Sequence, residues 1–198
     1  MTSFVFYALL NVMTLLPHLS ICQSANGDIN KTEAKEMLGK ATEYFQSGKY
    51  HEALLLYRKI DKSYELSERT RAFMGVCAYY DGDYALACTL LDKTLNRMHA
   101  YAPAEQSVYC FCDGQSHYAQ KEYNQAITAF EMHFNRCHPD ERTDTLVMLA
   151  RCHLGLGNKT IAKEYLMSAI KYEKMFESKE SPEKMQNILS LLELCQQI

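Results

Sequence analysis

Small and large apolar residues recur along this chain at fixed distances from one another. The segment GKYHEA at Gly48–Ala53 is followed 34 residues later by GDYALA at Gly82–Ala87, and related segments occupy 121–126 and 157–162. Each segment ends on an alanine, with a small residue twelve positions before it and a large apolar residue four positions after it. The small residues are Ala41, Gly75, Gly114 and Ala150, the alanines are Ala53, Ala87, Ala126 and Ala162, and the large residues are Tyr57, Leu91, Phe130 and Leu166.

These distances predict four pairs of antiparallel helices. The small residue of the first helix and the alanine of the second would lie where the two helices cross, because small side chains allow a close approach. The large residue one turn further on would fill the space beside the crossing. A glycine between the helices, as at Gly48, Gly82 and Gly157, suits a tight turn that needs a positive φ.

The apolar spacing also predicts the helix boundaries. The pairs are expected at 31–47 with 50–63, 68–81 with 84–97, 104–120 with 123–136, and 140–156 with 159–177. Asn30, with Glu33 three residues later, predicts a capped start of the first helix. A last helix over 182–197 begins at Ser181-Pro182 and would cover the open apolar face of the fourth pair. Its apolar stripe is wide, so its surplus face either is buried or docks on a partner or a second copy.

The repeated pattern resembles the tetratricopeptide repeat (TPR). The matching units are 34–67, 68–101, 107–140 and 143–176, with departures at Arg71, Thr94 and Lys121, the last of which replaces the turn glycine. The resemblance implies an all-α fold over 31–198. This fold is a right-handed superhelical array of antiparallel helix pairs, a TPR solenoid, with a C-terminal capping helix.

The same resemblance implies a binding groove lined by the first helix of each pair. Family members that bind chaperone C-terminal carboxylates carry Lys and Asn where this chain has Leu38 and Thr42, so that activity is not expected. The groove is instead aromatic and aliphatic, which suits a peptide or helix with apolar anchors. The alternative is that these aromatic residues pack against the neighbouring repeat. The predicted partner-binding residues are Phe45, Tyr79, Tyr80, Phe111, Tyr118 and Arg151.

The amino terminus has the features of an export signal. An apolar run from Phe4 to Leu16 is too short for a membrane span and fits a signal peptide over 1–22, followed by a linker over 23–30. Leu19–Cys22 also resembles a lipobox, so Cys22 is a candidate lipid anchor. The competing interpretation is a buried N-terminal helix. We expect an exported chain in the periplasm or cell envelope, with secretion as the alternative.

Charge and cysteine content limit the partners and ligands that the sequence predicts. The formal net charge is -3, so a nucleic-acid partner is not expected. Removal of Cys22 would leave seven cysteines, among which Cys77 and Cys88, on the two helices of one repeat, are the predicted disulfide pair. Cys137-His138 and Cys152-His153 lack the spacing of a structural zinc site, so we predict neither a metal nor a cofactor.

The function predicted from these patterns is a non-catalytic scaffold that binds a protein or peptide in its concave groove. The alternative is a sensory or regulatory module that acts with a separate membrane-bound output protein. The sequence contains no Gly-rich phosphate loop, nucleophile elbow or His-Glu-x-x-His motif, so an enzyme is not predicted.

Overall fold

The computed structural model describes residues 29–97, 101–176 and 182–196. Over these ranges the chain forms nine α-helices, one short 3₁₀ helix at Pro139–Glu141 and no β-strand. The helices are α1 (Lys31–Gln46), α2 (Tyr50–Asp61), α3 (Glu68–Tyr80), α4 (Tyr84–Leu95), α5 (Pro103–Ala119), α6 (Tyr123–Phe134), α7 (Arg142–Gly155), α8 (Lys159–Phe176) and α9 (Pro182–Gln196). The first eight helices form four consecutive pairs, which confirms the predicted all-α repeat array.

Short polar side chains begin several of these helices. The Asn30 Oδ1 atom accepts a hydrogen bond of 2.9 Å from the backbone N–H of Glu33 at the start of α1. Ser67 caps α3 in the same way, through a 3.2 Å bond from the backbone N–H of Thr70. Each bond satisfies one of the donors that a helix leaves unpaired in its first turn.

The turns inside the four pairs share one backbone conformation. Gly48, Gly82 and Gly157 have φ angles of 73°, 82° and 80°, and Lys121 has a φ of 62° at the equivalent place. Lysine carries a Cβ atom that disfavours this region, so the third turn keeps the geometry of the others with a less suitable residue.

The small residues expected at the helix crossings lie in close contact with the partner helix. A Cβ atom built on Gly75 would lie 2.9 Å from Leu91 Cγ, and one built on Gly114 would lie 2.7 Å from Phe130 Cε1. Neither site has room for a methyl group without movement of a fully buried neighbour. The alanines at the remaining crossing positions are all fully buried; they are Ala41, Ala53, Ala87, Ala126, Ala150 and Ala162.

Two departures from the repeat pattern have a local explanation. Arg71, at a position that is usually apolar, lies partly exposed and forms an ion pair of 3.5 Å with Asp61 of the preceding repeat. Thr94, at a position that is usually small and apolar, is buried, and its hydroxyl donates a 3.0 Å hydrogen bond to the Leu90 carbonyl. Both polar groups therefore have partners that make their positions tolerable.

Helix α9 packs against α8 and closes the array. Ile188 is fully buried there, and Lys184 forms an ion pair of 3.6 Å with Asp144 of α7. Leu189 and Leu194 of the same helix remain 42% and 48% exposed, so part of the wide apolar stripe faces outward. None of the helices in the described ranges is both long and apolar enough to cross a membrane.

Candidate functional site

A continuous row of partly buried aromatic rings runs across the first three repeats. We name Tyr50, Tyr80, Tyr79 and Phe111 the aromatic row. Tyr50 stacks on Tyr80 with ring centroids 4.2 Å apart, Tyr80 contacts Tyr79 edge-on at 4.9 Å, and Tyr79 contacts Phe111 edge-on at 6.3 Å. The row therefore links the first three repeats. The structure brings together three of the predicted groove residues, Tyr79, Tyr80 and Phe111.

The hydroxyl groups of the row are held in their neutral form. Burial is the main cause that raises the pKa of Tyr50 to about 12, and it raises the pKa of Tyr79 and Tyr80 further. A neutral phenol both donates and accepts a hydrogen bond while its ring offers apolar area. The row thus combines apolar contact area with polar groups that can orient a ligand.

Phe45 has to be removed from the predicted set of accessible groove residues. Its side chain is 2% exposed, because the ring stacks on Phe73 of the next repeat with centroids 4.8 Å apart. Phe45 therefore packs one repeat against the next, the alternative that the sequence left open for these aromatic residues.

Tyr118 lies apart from the row, near the turn between α5 and α6. Its ring contacts Tyr123 edge-on with centroids 5.7 Å apart. Tyr123 in turn packs on the backbone of Gly155, where an added Cβ would lie 2.5 Å from the ring. Tyr118 is half-buried and remains accessible, but it belongs to the contact between the third and fourth repeats.

Arg151 contacts the capping helix. Its guanidinium donates a 3.2 Å hydrogen bond to Asn187 Oδ1 of α9. Together with the Lys184–Asp144 ion pair, this bond shows that α9 lies along the first-helix surface of the fourth repeat. Arg151 is therefore engaged by the capping helix and lies apart from the aromatic row.

A buried ion pair between the second and third repeats was not predicted from the sequence. The Arg69 guanidinium contacts both carboxylate oxygens of Glu105, with Nε–Oε1 at 3.1 Å and a second N–O distance of 3.2 Å. Glu105 is 1% exposed and also accepts a 2.6 Å hydrogen bond from the Tyr109 hydroxyl. Glu105 follows Pro103 in the first turn of α5, a place where acidic residues are common, so its sequence position gave no sign of burial.

The cysteines in the described ranges are all free thiols, so the predicted Cys77–Cys88 disulfide is wrong. Cys88 instead accepts a 3.1 Å hydrogen bond from the Gln120 side chain. Burial is the main cause that raises the pKa of Cys110 and Cys152 to about 12 and that of Cys137 to about 11. Since the thiolate is the reactive form, these three groups are poor nucleophiles.

The two adjacent Cys-His pairs do not converge on one point. Cys152 is fully buried, whereas the ring of His153 stacks on Tyr165 with centroids 5.4 Å apart. Cys137 is buried and faces the Phe134 carbonyl, whereas the exposed His138 contacts Asp140 at 3.1 Å. In each pair the two residues are adjacent in sequence, so their side chains point in different directions and cannot bind one ion together.

Comparisons with known proteins agree with this architecture. Residues 144–173 match the family model of the tetratricopeptide repeat. YrrB, described as a TPR protein with an unusual peptide-binding site, aligns with a TM-score of 0.60 at 16% identity, over 74% of this chain and 72% of its own. MamA from Desulfovibrio magneticus RS-1 aligns with a TM-score of 0.55 at 19% identity, over 83% of this chain and 97% of its own. No curated protein matches the chain.

The described residues form a solenoid of TPR type, as the spacing of the small and apolar residues predicts, and the family model itself matches one unit of it, in the fourth repeat. At these levels of identity, the likeness to YrrB and MamA concerns the fold.

Proposed function

We propose that this chain is a non-catalytic scaffold that binds a protein or peptide partner on the inner surface of its TPR array. The observation that carries the proposal is the aromatic row, in which four partly buried rings follow one another across three repeats. Large aromatic side chains supply contact area at a low cost in conformational entropy, and they dominate binding energy at protein interfaces.

The chemistry of the row favours a partner with apolar anchors. Tyr79 and Phe111 offer ring surface on adjacent first helices, and the neutral hydroxyls of Tyr79 and Tyr80 can hydrogen-bond to the partner's backbone. An extended peptide or an amphipathic helix with two or three large apolar side chains fits this description. The peptide-binding site named for YrrB supports this choice by analogy of fold alone.

The test is site-specific photo-crosslinking followed by measurement of affinity. A benzophenone amino acid at position 79 should capture a partner that the same probe at Leu55 does not, because Leu55 is a 52% exposed residue of a second helix. Tyr79→Ala and Phe111→Ala should each weaken binding of the captured partner by about 1–3 kcal/mol. Leu55→Ala should leave that affinity unchanged.

Two results would contradict this function. Equal capture from positions 79 and 55 would mean that the inner surface has no preference for a partner. If instead Tyr79→Ala and Phe111→Ala reduced the melting temperature as much as a crossing mutation and left affinity unchanged, the row would be a packing element only.

We further propose that the chain is exported to the cell envelope through a signal peptide over 1–22, a segment that lies outside the described residues. The apolar run Phe4–Leu16 and the small residues before the predicted cleavage site support this proposal. Cell fractionation and the intact mass of the mature chain test it. A mature chain that begins at Gln23 indicates simple export, one that begins with lipidated Cys22 indicates an anchor, and an uncleaved chain contradicts the proposal.

A further inference from the structure

Three buried metal-binding side chains from two helices converge between the second and third repeats, and a fourth, Asp92, lies beside one of them with its side chain 56% exposed. Cys88 and Asp92 are four residues apart on α4, and Asp113 and His117 are four residues apart on α5. Residues four apart lie on the same face of a helix, so each helix presents a pair of donor groups to the other. Cys88, Asp113 and His117 are all buried.

The donor atoms of this cluster lie at distances that suit a tetrahedral metal ion. Sγ of Cys88, a carboxylate oxygen of Asp113 and a ring nitrogen of His117 all lie within 4.8 Å of one another. His117 Nε2 lies 3.3 Å from Asp92 Oδ1 and 3.6 Å from Asp113 Oδ1. Zinc bonds of about 2.0–2.1 Å at tetrahedral angles place neighbouring N and O ligands about 3.3–3.4 Å apart.

One buried oxygen of the cluster forms no hydrogen bond, and its one oppositely charged neighbour within 4 Å among the described residues is His117 at 3.6 Å. Asp113 is 2% exposed, and its Oδ1 atom has no hydrogen-bond partner among the described residues. A buried carboxylate oxygen without a hydrogen bond is costly, and a divalent cation at the centre of the cluster would remove that cost. This oxygen is also one of the two that face His117 Nε2.

A second carboxylate sets the orientation of the histidine. Glu122 Oε2 lies 2.7 Å from His117 Nδ1 and accepts a short hydrogen bond from it. The other ring nitrogen, Nε2, therefore faces Cys88, Asp92 and Asp113. A carboxylate behind a histidine is the usual outer support of a metal-bound imidazole. Gln120 adds a hydrogen bond of 3.1 Å to Cys88 Sγ, a contact that favours an electron-rich sulfur.

We propose that Cys88, Asp92, Asp113 and His117 form a Zn²⁺ site that joins α4 to α5 and thereby fixes the third repeat on the second. The donor set selects the metal, because a thiolate and an imidazole favour zinc over magnesium or calcium. Cys88, Asp113 and His117 would supply three buried ligands, and the more exposed Asp92 beside His117 would supply the fourth.

The competing arrangement is a metal-free ion pair. Without an ion, hydrogen bonds to Cys88 and Glu122 raise the pKa of His117 to about 10, so the cluster holds an imidazolium. The distances of 3.3 and 3.6 Å from Nε2 to the aspartates are nevertheless long for charged hydrogen bonds, which are about 2.7–2.9 Å. They fit the spacing of two ligands around a shared ion better than direct bonds.

A second cluster provides an internal control. His133, Cys137 and Glu141 also lie within 4.8 Å of one another. Unlike Asp113, Glu141 accepts a hydrogen bond from the His138 backbone N–H, and no donor atom of this cluster is among the buried, unbonded side-chain atoms of the described residues. This cluster carries no proposal, and Cys137→Ser is the matched control for Cys88→Ser.

The experiment uses the full chain, free of any tag and stripped of metal with a chelator. Zinc content after dialysis, competition with a chromophoric chelator, and the absorption spectrum with Co²⁺ are measured. We expect one Zn²⁺ per chain and a thiolate-to-cobalt charge-transfer band in the wild type and in Cys137→Ser. Cys88→Ser and His117→Gln should lose the ion, and Glu122→Ala should bind it about 10–100-fold more weakly.

The readouts keep binding separate from folding. Circular dichroism of the stripped variants establishes that they remain helical, and zinc should raise the melting temperature of the wild type and Cys137→Ser but not of Cys88→Ser. Absence of zinc binding and of the cobalt band in the folded wild type would overturn the proposal in favour of the ion pair. Loss of the ion in Cys137→Ser rather than Cys88→Ser would overturn it in favour of the other cluster.

Discussion

Helices α1 and α5 occupy equivalent places in their repeats, but they bury different kinds of side chain. The buried residues of α1 are all apolar: Ala34, Leu38, Ala41 and Phe45. Those of α5 include five polar or charged residues: Glu105, Ser107, Asp113, Ser116 and His117. Helix α1 begins the described array, whereas α5 packs against α3, α4 and α6.

The difference shows what burial on several sides demands of a helix. A helix that is buried along one face needs only apolar side chains at helical spacing, because apolar contacts are not directional. A helix surrounded by others must give each polar group a specific partner, as Glu105 has in Arg69 and Ser107 has in His133.

Removal of the buried carboxylate of α5 should have the largest effect. Glu105→Ala leaves the Arg69 guanidinium and the Tyr109 hydroxyl without their partner and should lower the free energy of unfolding by about 3–5 kcal/mol. Glu33→Ala on α1 is the control, because its 3.7 Å pair with Lys59 is solvent-exposed and should contribute no more than about 1 kcal/mol. Urea unfolding measures both, and equal losses would refute the contrast between the two helices.

The burial of His133, which pairs with Ser107, should make the free energy of unfolding depend on pH. The pKa of His133 is lowered to about 4, mainly by burial. In the unfolded chain the same side chain is exposed and has the ordinary histidine pKa of about 6.5. The unfolded state therefore takes up the proton first. The contribution of neutral His133 is fully present above pH 6.5 and is lost as the pH falls towards 4, at a total cost of about 3 kcal/mol.

The comparison of wild type with His133→Gln isolates this effect from the other titrating groups. The stability difference between the two proteins should shrink as the pH is lowered from 7 to 4.5. An NMR titration in which the His133 ring protonates near pH 6.5 in the folded chain would contradict the prediction.

The crossing glycine of α5 and the exposed glycine of α1 should respond in opposite directions. Gly114→Ala forces a methyl group against the Phe130 ring and should cost about 1–3 kcal/mol. Gly39→Ala on α1 meets no atom within 4 Å and should gain about 0.5–1 kcal/mol from its higher helix propensity. Thermal unfolding of the two variants gives the sign of each change, and a stabilised Gly114→Ala would show that the crossing has room to adjust.

Substitutions in the turns that follow α1 and α5 should change the free energy of unfolding least. Lys121→Gly after α5 should stabilise the chain by about 0.5–1 kcal/mol, because glycine accepts the φ of 62° without strain. Gly48→Lys after α1, where φ is 73°, should destabilise it by a similar amount. A destabilised Lys121→Gly variant, measured in the same urea series, would mean that the Lys121 side chain makes contacts that outweigh the backbone strain.

Some of the candidate site could be predicted from the sequence because it follows the repeat. Tyr79, Tyr80 and Phe111 were placed together by their positions within the repeat, and the structure joins their rings in one row. Phe45 and Arg151 follow the same positional rule, yet one is buried against Phe73 and the other bonds to α9. Position within a repeat fixes the direction of a side chain, but the neighbouring element decides whether that side chain stays exposed.

The array of helix pairs could be predicted from the sequence, because helical periodicity and the need for small residues at crossings act within each repeat. The partners of the buried polar groups could not, because they depend on how separate helices pack. Cys88 and Asp92 meet Asp113 and His117 through the packing of two helices that belong to different repeats. No spacing within one segment encodes such a meeting, since it depends on the rotation and distance of one helix against another. The polar core between the second and third repeats is therefore a property of the fold.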